Sequence, residues 1–115
     1  IPLLAGSFVS LVTLSEVEQW RIPLEKIKDA IDSDTIGIVI NFPHNPTGQV
    51  LTEEELNSLV LLCEQKGLWL FSDEVYRLLG KPETSWVLPA ASVYSKALSL
   101  GVMSKAYGLP GLRLG

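Results

Sequence analysis

The chain has 115 residues, 47% of them hydrophobic, with 9 basic and 13 acidic residues and a formal net charge of −4. That length and apolar content suffice to bury a core, while an acidic balance without a basic cluster argues against a nucleic-acid or anionic-lipid surface. A single cysteine, Cys63, excludes an intrachain disulfide and fits a reducing compartment, one histidine beside one cysteine makes no metal-ligand set, and no apolar run reaches a membrane span.

Taken in order, the chain alternates strand and helix. Residues 8–14, rich in β-branched and apolar side chains, predict a strand. Over residues 23–31, Leu24, Ile27 and Ile31 form one helical stripe, with Pro23 suited to a first turn. Residues 36–40 are a short apolar run, expected to lie buried on both faces of a parallel sheet. Thr52 and Glu55 then form a capping box, in which the Thr52 hydroxyl accepts from the Glu55 amide and the Glu55 side chain accepts from the Thr52 amide. Leu56, Leu59, Val60 and Cys63 follow at i, i+3, i+4 and i+7, and Gly67 supplies a left-handed stop. Cys63 is therefore expected in the core. Residues 68–71 predict another buried strand, so residues 36–71 form one strand-helix-strand unit, parallel and by general rule right-handed. Residues 79–91 read as a surface loop, and residues 98–103 as a last strand leading into Lys105.

In an open parallel sheet, ligands bind at the carboxyl ends of the strands, and three loops carrying chemistry sit there. The first, residues 41–48, contains Asn45 between prolines; alone it is a stiffened turn whose amide could donate to a phenolate-like oxygen. In the second, residues 72–76, Asp73 could pair with a protonated ring nitrogen; alone it is a strand-end aspartate followed by a packed tyrosine, Tyr76. The third runs from Ser104 to Arg113. Its apolar-flanked Lys105 is expected to be partly desolvated and so available as a free amine, and its glycines let the chain turn back to an arginine that can grip phosphate in a planar fork. Together these features describe a site for an aldehyde that also carries a phosphate.

The segment Ser104-Lys105-Ala106-Tyr107-Gly108-Leu109-Pro110-Gly111-Leu112-Arg113 resembles the Schiff-base segment of the fold-type I, pyridoxal-phosphate-dependent aminotransferases of class I/II. The loops Asn45-Pro46-Thr47-Gly48 and Asp73-Glu74-Val75-Tyr76 resemble two further motifs of that family, in family order and spacing. The resemblance implies an α/β fold with a mostly parallel sheet flanked by helices. It also implies pyridoxal 5'-phosphate held as an aldimine on Lys105, which then serves as general base and acid. Arg113 would hold the cofactor phosphate, Asn45 and Tyr76 would contact the ring oxygen, and Asp73 would pair with the ring nitrogen. A cis bond is implied at Asn45-Pro46. Many members carry a serine three residues before the lysine as a phosphate ligand, where this chain has Val102.

By the same resemblance, residues 1–115 are expected to be an interior piece of the cofactor-binding large domain, with the small domain and the N-terminal part outside it. The intact protein is expected to be a cytoplasmic homodimer that exchanges an amino group between an amino acid and a 2-keto acid. Relatives of the fold run lyase, cyclase or synthase reactions with the same three motifs, although tyrosine at position 76 favours transamination. A transcriptional regulator with an aminotransferase-like sensor domain is the other alternative, and it would need a helix-turn-helix upstream. An incomplete, non-functional product is a third. An isolated piece of this kind should expose apolar sheet surface. Among the remaining residues, His44 shows no partner in the sequence, Lys96 reads as a surface lysine, and Trp20, Trp69 and Trp86 as core or rim.

Overall fold

The computed structural model describes residues 3–80 and 87–115. Helix α1 spans Leu24–Ala30, strand β1 Gly37–Asn41, helix α2 Glu53–Lys66, strand β2 Trp69–Asp73, helix α3 Ala90–Val93 and strand β3 Ala97–Leu100. The strands form one parallel sheet in the order β1-β2-β3. The result is an α/β fold, as the alternation of strand and helix patterns implies.

Helix α2 has the most complete local specification. Thr52 accepts from the Glu55 amide at 3.1 Å, and Glu55 accepts from the Thr52 amide at 2.8 Å, so the capping box is formed in both directions. Gly67 ends the helix at φ 70°, a conformation that costs a residue with a Cβ. Leu56, Leu59, Val60 and Cys63 are all buried, Leu59 and Cys63 completely. Each such aliphatic side chain contributes roughly 1.5–3 kcal/mol through the water it sheds. Helix α1 is held the same way, with Ile27 buried and Leu24 and Ile31 packed at the edge of the core.

Alternation along the strands divides the sheet into two unlike faces. Ile40, Leu70, Ser72 and Ala97 point into the core beneath α2 and α3. On the other face Val39, Phe71 and Leu98 stand level in register and are 69%, 38% and 54% exposed. The strands were expected to be buried on both faces; they are buried on one, because the described helices pack on that side alone. The apolar sheet surface expected of an isolated piece is therefore present.

Two further expectations change. Residues 8–14 form no strand: Val12 and Leu14 pack on the core while Leu11 is 89% exposed, so the two-residue alternation is there without a ladder. A strand needs a neighbour for its N–H and C=O groups, and none of the described strands lies beside this segment. Of the loop expected over residues 79–91, residues 81–86, including Trp86, lie outside the described residues. The remainder ends in α3, whose Ala90 and Ala91 are good helix formers behind Pro89. The last strand is also shorter than expected, because after Leu100 the chain leaves the sheet.

Candidate active site

The parallel register sets Asn41, Asp73 and Leu100 level with one another at the carboxyl end of the sheet. All three candidate loops start from that line. They are knitted at their roots, since the Phe42 amide donates to the Asp73 carbonyl at 3.1 Å and the Glu74 amide donates to the Leu100 carbonyl at 2.9 Å.

The first loop doubles back tightly. The Gly48 amide donates to the His44 carbonyl at 2.7 Å, and the His44 amide to the Gln49 carbonyl at 2.8 Å. The bond Asn45-Pro46 is cis, as the motif implies, and so is Phe42-Pro43. His44 does have a partner, contrary to expectation: its Nδ1 lies 2.8 Å from Thr47 Oγ1, because the turn brings position 47 back over position 44. The loop presents Asn45 on its outer side, where its Nδ2 donates to the Tyr76 hydroxyl at 3.0 Å.

The second loop begins with Asp73, the last residue of β2. Its Oδ1 accepts from the Val75 amide at 3.2 Å, which turns the chain sharply, and the turn is closed by the Arg77 amide donating to the Glu74 carbonyl at 2.8 Å. This carries Tyr76 up beside Asn45. The third loop brings Lys105 to the same place, with its Nζ 5.2 Å from the centre of the Tyr76 ring, within cation–π range. Lys105 is nevertheless exposed, so the partial desolvation expected from its apolar flanks is not supplied by the described residues. Ala106 beside it is half-buried and Tyr107 is 57% exposed, so the apolar flanks face outward rather than enclosing the amine.

After Lys105 the chain folds back on itself. The Gly108 amide donates to the Lys105 carbonyl at 3.1 Å, the Leu109 amide to the Met103 carbonyl at 3.0 Å, and the Met103 amide to the Leu114 carbonyl at 3.0 Å. A short 3-10 turn at Pro110–Leu112 then sets Arg113 at φ 51°, exposed to solvent. Val102, where the resemblance implies a serine in many members, lies beside Gly115, on which an added Cβ would come 3.0 Å from a Val102 methyl carbon.

Tyr76 thus touches both Asn45 and Lys105. Asp73 stands at the strand end from which the Tyr76 loop starts, its carboxylate turned to the Val75 amide, while Arg113 is exposed and makes no contact with these three among the described hydrogen bonds. Lys96, the other lysine near this region, donates to the Gly67 carbonyl at 3.1 Å at the end of α2, far along the strand from Lys105. The residue that sequence reasoning passed over is Glu74. It is buried, and its Oε1 accepts from the Ala90 amide at 2.9 Å and from Ser99 Oγ at 2.8 Å. The signal was available in the alternation, for positions 70, 72 and 74 continue one inward-facing row past the end of the strand.

A three-stranded parallel sheet flanked by helices places the chain first among the open α/β folds. Comparison with known proteins goes further. The family model for aminotransferase class I and II matches residues 3–115. The aspartate aminotransferase of Bacillus subtilis is 35% identical over 115 residues, covering 97% of this chain and 29% of the relative. A probable aspartate/prephenate aminotransferase of Aquifex aeolicus is 34% identical over 107 residues, or 90% of this chain and 27% of the relative. Among solved structures, a PLP-dependent aminotransferase of Streptococcus suis superimposes with a TM-score of 0.90 at 36% identity, covering 99% of this chain and 30% of that one. The chain belongs to the class I and II aminotransferase family. It spans less than a third of the length of these relatives.

Proposed function

We propose that this chain carries the cofactor-binding centre of a pyridoxal-phosphate-dependent aminotransferase, as part of the large domain of a longer protein. The observation that carries the reading is the convergence of Asn45, Tyr76 and Lys105 from three separate loops, with Asn45 bonded to Tyr76 at 3.0 Å and Lys105 over its ring. The donor set fits the group. An amide and a phenol side by side suit an anionic ring oxygen, a carboxylate at the strand end suits a protonated ring nitrogen, and an exposed guanidinium suits a phosphate.

When bound, pyridoxal phosphate supplies an electron sink for the carbanion left after proton removal. Asn45 and Tyr76 orient the ring through its oxygen, Asp73 keeps the nitrogen protonated, and Arg113 anchors the phosphate. Lys105 Nζ takes the α-proton of the bound amino acid and returns a proton later, as base and then acid. The substrates are an amino acid and a 2-keto acid, in keeping with relatives named for aspartate, prephenate and kynurenine. The same family likeness supports a homodimer in the cytoplasm for the intact protein.

The test is to mix the chain with pyridoxal phosphate, reduce with borohydride, digest, and locate the modified lysine by mass spectrometry. Label concentrated on Lys105, and lost in Lys105→Ala, is the expected result. Label spread evenly over Lys96 and the other lysines would overturn the proposal that the chain carries this centre.

A further inference from the structure

Glu74 stands between two residues of the candidate site, one position after Asp73 and two before Tyr76, yet its side chain points away from both, into the core. It is the one charged residue among the buried polar groups described, at 9% exposure. A carboxylate in that position loses several kcal/mol of hydration unless hydrogen bonds replace it. Its Oε1 takes two, from the Ala90 amide and from Ser99 Oγ, and Ser99 Oγ in turn accepts from the Ala91 amide at 3.0 Å. Three elements meet there: the end of β2, the first turn of α3 and the middle of β3. The first two amides of α3 have no partner within their own helix, so Glu74 and Ser99 between them satisfy both.

The clamp adjoins the lysine loop. Glu74 and Ser99 line an open depression together with Gly101, Val102, Ala106 and Tyr107, residues on either side of Lys105. Two residues after Ser99 the chain leaves the sheet and has no ladder to fix its path. What fixes the level of β3 at that point therefore fixes where the lysine loop starts. The backbone bond from the Glu74 amide to the Leu100 carbonyl does so from one side, and the Glu74 carboxylate on Ser99 does so from the other.

We propose that Glu74 is a positioning residue, whose buried carboxylate fastens β3 and the start of α3 to the end of β2 and so sets where Lys105 stands relative to Asp73 and Tyr76. The inference rests on the reading of those three residues as one site. Charge-assisted hydrogen bonds of this kind hold their partners more firmly than neutral ones, and a shorter side chain at position 74 could not span the three elements.

The experiment follows amide hydrogen exchange, residue by residue, in the 115-residue chain and in Glu74→Ala and Glu74→Gln. Glu74→Ala is expected to speed exchange by about ten-fold or more at Ala90 and Ala91. It should also speed exchange at Met103 and Leu109, whose bonds close the lysine loop, with α2 unchanged. Glu74→Gln keeps an oxygen for both donors and should restore most of the protection. A rise confined to Ala90 and Ala91 would reduce Glu74 to a local cap, and a rise spread through α2 would make it an ordinary stability residue; either overturns the proposal. Borohydride labelling of the same three proteins separates this question from the cofactor reading. Loss of Lys105 selectivity in Glu74→Ala alone supports the positioning role, whereas its absence in the unaltered chain would count against the cofactor site, with the exchange pattern still judging Glu74.

Discussion

The side of the sheet covered by α2 and the loops at its carboxyl end are built by different means. Beneath α2, Leu59, Leu70 and Cys63 are sealed from solvent and held by area removed from water. In the lysine loop, Lys105, Tyr107 and every residue from Gly108 to Gly115 are exposed, and the path is set by a few backbone hydrogen bonds. Stability is concentrated away from the proposed site, and the proposed chemistry is placed where little stability is at stake. Such a division lets a loop present reactive groups without burying an unpaired charge.

The sharpest test of that division is Lys105→Ala, which should abolish the dominant cofactor label while leaving denaturant stability within about 0.5 kcal/mol, the usual range for exposed positions. A large loss of stability would show that the loop supports the fold after all. Leu59→Ala should do the reverse, costing about 2–5 kcal/mol in urea unfolding through a cavity under α2. At temperatures where that variant remains folded, Lys105 should still be labelled. Thr52→Ala removes one half of the capping box and should cost about 1 kcal/mol, again with labelling unchanged.

The smallest effect is a pH dependence. Burial pushes the Cys63 thiol from an ordinary 9.0 up to about 11. The folded chain therefore holds this proton more tightly than the unfolded chain does, so its contribution is complete below pH 9 and is lost as pH rises towards 11. Tyr94 acts in the same direction, raised first by burial and then by the nearby Cys63 and Glu64, and its ionisation would break the 2.7 Å bond its hydroxyl donates to the Leu68 carbonyl. Unfolding midpoints should fall by an amount equivalent to about 1 kcal/mol between pH 9 and pH 10, and Cys63→Ala should reduce that slope without removing it.

How much of this was legible in the sequence follows the same division. The capping box, the apolar stripe of α2 and the stop at Gly67 are local, and each is specified by residues within one or two turns of one another. The three loops could be found because each follows directly on an apolar run that becomes a strand. What could not be read depends on distant partners. Residues 8–14 have strand composition, yet composition does not say whether a second strand lies alongside. His44 finds Thr47 only once the turn has closed. Glu74 finds Ala90 and Ser99 across 16 and 25 positions, and nothing near it in the chain announces either. The exposure of Lys105 belongs to the same group, since apolar neighbours in sequence need not be neighbours that cover it.

The level ends of the three strands have a consequence for how such a chain can change over time. Side chains alternate faces at every residue, so a one-residue slip of Trp69–Asp73 against its neighbours would turn Asp73 inward and throw Leu70 out to solvent. Length can vary freely only in the connections, between the end of one strand and the start of the next. Divergence among descendants of this sheet is therefore expected to be quantised: substitutions throughout, but gains and losses of residues confined to the loops, with the Asn41, Asp73 and Leu100 line kept as a fixed datum.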